Sequence, residues 1–217
     1  MNLAQVSPPA AVTPAPTGLR VAGLCVDRGG RRVLSNISFS VASGEALVVT
    51  GRNGVGKSTL LRALAGLLPR AGAVALEGVG EDNEPGPRAH YLAHADGLKA
   101  ALTVAENLEF WANYLGGAGG RAIPEALGAV GLAHVAAAPV AILSAGQKRR
   151  VALARLLVAH RPLWLLDEPL TALDKASREK FASVMRAHCA GGGVVVAATH
   201  EPLGLEGARE LPLGTAA

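Results

Sequence analysis

Residues 46–59 read ALVVTGRNGVGKST, and this stretch decides the fold. Ala46–Thr50 predicts a short buried strand. It runs directly into Gly51-Arg52-Asn53-Gly54-Val55-Gly56-Lys57-Ser58-Thr59, the pattern GxxxxGK[ST] between a strand and a helix. Glycines let the backbone wrap closely around phosphates, and the first N–H groups of a helix present positive potential to them. Lys57 supplies charge for the outer phosphates of a nucleotide, and the Ser58 hydroxyl suits Mg²⁺. A plain Gly-rich turn before a helix would not need Lys and two hydroxyls in register.

Outward from that loop, Leu60, Leu61, Leu64, Leu67 and Leu68 share one helical face, which Pro69 closes. Upstream, strands are expected over Leu19–Val26 and Ile37–Val41, on either side of Gly29-Gly30. Downstream come two weaker strands, Ala73–Glu77 and Ala89–Ala93, and two buried ones, Leu163–Asp167 and Val194–Thr199. Thr103-x-x-Glu106 and Ser144-x-x-Gln147 are capping boxes, the second opening a helix to about Ala159. Further helices are expected from Pro124 and over Lys175–Cys189, and Gly116–Gly120 reads as a flexible break. Strands alternating with helices imply an α/β fold with a mostly parallel sheet covered on both sides. Residues from about 95 to 160 show helices and almost no strand pattern, so they form an inserted helical subdomain. Residues 1–17, with Pro8, Pro9, Pro14 and Pro16, read as a disordered Pro/Ala-rich tail, leaving 18–217 as one domain. The segment after His200 gives little signal.

Composition excludes several classes. Half of the 217 residues are apolar and 18% are charged, which suits a soluble α/β domain and not a disordered chain. The net charge of +4 carries only two tight basic groups, Arg31-Arg32 and Lys148-Arg149-Arg150, which read first as solvated faces and not as nucleic-acid patches. Cys25 and Cys189 lie far apart without a CxxC, so reduced, buried thiols are expected before a disulfide or metal site. No apolar run is long enough to span a membrane and no secretory signal is evident, so a cytoplasmic protein is expected.

Leu163–Glu168 reads LWLLDE, a buried strand ending in two adjacent acids. Burying that pair without a cation is costly. A Mg²⁺-nucleotide accounts for Asp167, and Glu168, one residue further, faces the γ-phosphate to orient or activate water. Leu143-Ser144-Ala145-Gly146-Gln147 adds a hydroxyl, a glycine and a helix N-terminus, which together make a second anion site.

The order of phosphate loop, LSAGQ, LLDEP and a His after a buried strand resembles the ATP-binding-cassette (ABC) ATPases, over about residues 19–213. The resemblance implies a P-loop NTPase core with an antiparallel β subdomain, ATP and Mg²⁺ as ligands, and a head-to-tail homodimer. In that arrangement Ser144 and Gly146 complete the partner's site, Asp174 of Ala172-Leu173-Asp174 lies in the loop that links the sites, and His200 contacts the γ-phosphate. Two positions depart from the family pattern. His94 stands where the family has a Gln that senses Mg²⁺ and the membrane partner, and Arg28 stands where an aromatic residue often stacks on adenine.

Single-cassette size, the His94 exchange and the stretches around Tyr91–Phe110 and Leu143–Leu156 further resemble ATPase subunits of bacterial cytochrome c maturation. That implies a peripheral protein on the cytoplasmic face of the inner membrane. It would energise haem export or delivery beside integral CcmB-like subunits, with CcmC- and CcmD-like proteins, and receive a membrane helix at Ala95–Leu115. No nucleic acid and no direct haem binding are expected. Two other readings stay open: an ATPase for another exported cargo (lipid, lipoprotein or drug), and a soluble ATPase acting on nucleic acid.

Overall fold

The computed structural model describes residues 18–80, 82–116 and 119–214. The tail expected over residues 1–17 lies outside them, as does part of the break expected at Gly116–Gly120.

Three strands, β1 (Gly18–Arg28), β2 (Arg31–Val41) and β4 (Ala71–Glu77), form an antiparallel sheet in the order β2-β1-β4. Five others, β3 (Ala46–Thr50), β5 (Ala89–Leu92), β6 (Leu163–Asp167), β7 (Val194–Ala198) and β8 (Arg209–Pro212), form a parallel sheet in the order β5-β6-β7-β3-β8. Every residue of β6 and β7 is buried, as expected of strands covered on both faces. Alternation along them assigns each face to its own core. Leu163, Leu165, Val194 and Val196 pack with α1 (Lys57–Leu64) and the antiparallel sheet. Trp164, Leu166, Val195 and Ala197 pack with α2 (Val104–Tyr114), α3 (Ile123–Ala129), α4 (Ala145–Ala154) and α5 (Lys175–Ala190).

The expected strand positions recur, and α2 and α4 start on the two capping boxes. Four expectations change. α1 ends at Leu64, before Pro69, because Gly66 turns left-handed and closes a Schellman motif, with Leu67 N–H donating to Arg62 O at 2.9 Å. Leu67 is therefore 60% exposed instead of buried on the helix face. α4 stops at Ala154, a turn before Ala159. β8 was hidden in the last segment because its residues RELP are mostly exposed, as an edge strand tolerates. Arg149, read as part of a solvated basic run, is buried.

Candidate nucleotide site

Four of the functional segments leave the carboxyl ends of parallel strands, the place where open α/β sheets bind ligands. β3 delivers Gly51–Lys57, β6 delivers Asp167 and Glu168, β7 leads to His200, and β5 leads to His94. Two glycines fix the loop. Gly51 has φ 134°, and a Cβ there would meet Leu213 O at 2.6 Å. Gly56, the left-handed N-cap of α1, would meet Leu34 Cδ2 at 2.9 Å. Side chains at either position would push the loop off its strand.

A cavity of about 450 Å³ opens above these ends. Asn53, Gly54, Gly56, Lys57, Ser58 and Thr59 form its floor, and Arg28, Arg62, His94, Asp167 and Glu168 complete its walls. Lys57, 8% exposed, donates from Nζ to Gly51 O at 2.7 Å and sits 2.9 Å from His200 Nε2. His200 Nε2 also lies 3.1 Å from Asn53 Oδ1 and 3.9 Å from Glu168 Oε1. Ser58 Oγ donates to Asp167 Oδ1 at 3.0 Å, and Asp167 is 4% exposed. These two oxygens are the hard donor pair that suits Mg²⁺, which usually takes one or two protein ligands and fills its octahedron with phosphate and water.

Glu168 is held in a left-handed backbone conformation, φ 46°. Its N–H donates to Ala198 O on β7 at 2.8 Å, which anchors the strained residue to the central sheet. The side chain is thereby turned out of the strand line toward the cavity that Asp167 also reaches.

Sequence reasoning missed one cavity residue and its partner. Arg62, the one polar interruption within the apolar run of α1, lines the wall and donates from Nε to the Tyr91 hydroxyl at 3.2 Å. Burial, the largest influence, pushes the Tyr91 hydroxyl above its ordinary range, so it stays protonated. An Arg on an otherwise leucine-rich helix was the available signal.

The LSAGQ residues are not in this cavity. Ser144 caps α4 from an exposed position, accepting from Gln147 N–H at 3.2 Å while Gln147 Oε1 accepts from Ser144 N–H at 2.9 Å. Leu143 is buried beneath it and Ala145 is exposed. Gly146 lies against the loop before α5: a Cβ there would stand 2.8 Å from Ala172 O. Asp174 caps α5, accepting from Ser177 N–H at 2.7 Å, and the contact with Ser177 holds its carboxyl below the usual range. One chain thus brings together one half of the predicted constellation and displays the other half elsewhere.

The ABC transporter family profile matches residues 34–171, which hold the phosphate loop, LSAGQ and LLDE within one span. The chain belongs to the ABC transporter family. This ABC subunit is 56% identical to the "Cytochrome c biogenesis ATP-binding export protein CcmA" of Mesorhizobium japonicum, over 88% of this chain and 94% of that one. It is 53% identical to the protein of the same name from Rhodopseudomonas palustris, over 90% and 97% of the two chains. Its fold matches a putative ABC transporter ATP-binding protein of Pyrococcus furiosus with a TM-score of 0.77 at 24% identity, covering 90% and 97% of the two chains. The ABC subunit is therefore a nucleotide-binding ATPase of a transporter. Among its described residues, no helix is long and apolar enough to cross a membrane.

Proposed function

We propose that this ABC subunit hydrolyses Mg-ATP to energise c-type cytochrome biogenesis, as a head-to-tail homodimer docked on integral membrane subunits at the cytoplasmic face of the bacterial inner membrane. The observation that carries the reading is the split site. The phosphate-loop cavity is built within one chain, from the segments that follow β3, β5 and β6 together with Arg28 and Arg62, while the Ser144 helix tip stands exposed and outside it. A second copy, turned head to tail, supplies what each cavity lacks. Relatives more than half identical over nearly their whole length carry the cytochrome c biogenesis name, which supports the haem export or delivery role.

The chemistry follows from the groups in place. The free N–H groups of the loop cradle the phosphates, and Lys57 exchanges its carbonyl partner, Gly51 O, for phosphate oxygens. Ser58 and Asp167 would hold the Mg²⁺, which neutralises charge on the β- and γ-phosphates. Glu168 orients the attacking water and draws its proton, and His200, within reach of both Lys57 and Glu168, holds the γ-phosphate. Transition-state charge is then met by the partner's Ser144 hydroxyl and Gly146 amide at a helix N-terminus. Asp174, next to the Gly146 contact, links one site to the other. Arg28, exposed on the cavity wall, stacks on the base through its guanidinium plane, and His94 would serve as the acceptor on the Mg²⁺ side of the cavity in place of the family's Gln.

The membrane side is supported by α2. Phe110 is 42% exposed and Tyr114 72% exposed, and the two rings stack 6.1 Å apart beside Trp111. Such an aromatic patch on one helix suits the coupling helix of a CcmB-like subunit, with CcmC- and CcmD-like proteins in the same assembly. The test is to pull the tagged chain from solubilised membranes and identify its companions. Haem-pathway membrane subunits and ATP turnover that Lys57→Ala abolishes are expected. Membrane companions of a lipid or drug exporter would overturn the cytochrome assignment, and nucleic acid without a membrane partner would overturn the transport reading.

A further inference from the structure

Arg149 is 3% exposed, and every nitrogen of its guanidinium is engaged. Nη2 donates to Asp167 O at 3.0 Å and to Glu168 O at 2.6 Å. Nε donates to Pro169 O at 3.2 Å. Nη1 donates to Ala93 O and to Asp96 Oδ1, each at 3.0 Å, with His94 O further out at 3.5 Å. One side chain on α4, the helix that Ser144 caps, thus clasps the end of β6 and the segment that carries His94. Only a planar fork with five donors spans these partners at once, and a lysine head has neither the shape nor the number of donors.

Arg155, one turn and a half further along the chain, is also buried, and its Nη2 donates to Tyr91 O at 3.2 Å. Asp96 pairs with Arg149 at 3.0 Å, and its charge also favours the charged form of Arg155. Holding two buried cations near one partly exposed carboxylate is costly for stability alone, and an apolar residue would pack at lower cost. The arrangement has a functional correlate at Glu168. That residue keeps its left-handed backbone because its N–H is tied to Ala198 O on one side and its carbonyl is gripped by Arg149 on the other.

We propose that Arg149 is a positioning residue for hydrolysis: it holds Glu168 in its catalytic conformation and links that conformation to the placement of the Ser144 helix and the His94 segment. Movement of the helical segment relative to the sheet is thereby felt directly at the Glu168 backbone. The proposal rests on the role of Glu168 given above.

The test uses the full-length chain in its solubilised membrane complex, with ATP turnover and ATP binding measured separately. Arg149→Lys is expected to lower kcat at least about twentyfold while KM for ATP stays within about twofold. Asp96→Asn, which removes one of the fork's partners, is expected to lower kcat about two- to fivefold, again without moving KM. Because Arg149 acts through Glu168, adding R149K to Glu168→Gln should leave the residual rate within about twofold of E168Q alone. A merely structural role would instead reduce folded, nucleotide-binding protein and add its loss to that of E168Q. Equal losses in kcat and KM, additive losses, or wild-type kcat in R149K overturns the proposal. If R149K does not fold, D96N decides by the same cycle, and a wild-type kcat in D96N overturns it. E168Q turning over as fast as wild type is a different failure, that of the Glu168 reading itself.

Discussion

Replacing Ser144 with Asp separates its two roles. Within one chain Ser144 caps α4, through the reciprocal pair with Gln147 at 3.2 and 2.9 Å. Losing that cap in Ser144→Ala costs about 1 kcal/mol, or a fall of about 2–4 °C in Tm for a domain of this size. Asp caps as well as Ser, and its charge suits a helix N-terminus, so Ser144→Asp should melt at or near the wild-type temperature. In the head-to-tail dimer the outcome is opposite. The new carboxylate faces the partner's γ-phosphate, and two like charges about 4 Å apart at an effective dielectric near 20 repel by about 4 kcal/mol. That corresponds to roughly a thousandfold loss of turnover. The assay is a set of three measurements: thermal melting, binding of a fluorescent ATP analogue to the dilute, monomeric chain, and phosphate release by the complex. S144D should keep the first two and lose the third. Turnover within about threefold of wild type, or loss of ATP binding by the monomer together with turnover, refutes the shared site.

Glu168→Gln should bind Mg-ATP, hydrolyse it at least about a hundredfold more slowly and accumulate ATP-dependent dimers on size exclusion; monomers with full turnover would contradict the water-orienting role. Ala145→Gly should change turnover little, because it adds no atom to the helix tip and leaves the Ser144 hydroxyl and Gly146 amide in place, whereas Gly146→Ala places a methyl 2.8 Å from Ala172 O and should displace the loop before Asp174, lowering kcat at least about tenfold in a phosphate-release assay. Equal effects of the two substitutions would remove the steric account. His90 and His188 are both lowered to about 4, mainly by burial, so they stay neutral when folded while the unfolded chain titrates near 6.5. The unfolded state therefore binds more protons below that value, and stability that is complete above pH 6.5 falls as the pH drops toward 4, by on the order of 3 kcal/mol per histidine. Denaturant unfolding between pH 7 and 4.5 should show this slope, and His90→Asn should flatten it; an unchanged slope would mean that His90 is not the group responsible.

The phosphate loop, the buried strands β3, β6 and β7, and both capping boxes were legible in the sequence because each is a local device. A strand buried on both faces must be a continuous apolar run, a phosphate cradle must use glycine where backbone and anion meet, and a helix start must satisfy its own orphan N–H groups within four residues. Pattern and spacing thus pointed to an α/β fold with a phosphate loop and made Lys57, Ser58, Asp167 and Glu168 candidates, while the antiparallel β subdomain was implied by the family resemblance. β8 was not legible, since an edge strand carries no burial pattern, and neither was the early end of α1, where a glycine closure overrode a leucine periodicity that continues to Leu68.

Folding, by contrast, settles which distant groups share a space. Arg62 joins the cavity wall and donates to the Tyr91 hydroxyl, 29 positions away in the chain, a pairing that the order of residues does not announce. Arg149 reads as one cation in a basic run, yet folding buries it among carbonyls of two other segments. Polar groups far apart in sequence are paired by desolvation: once the sheet and helices close, each buried donor must find an acceptor, and the acceptors within reach are set by packing and not by the order of residues.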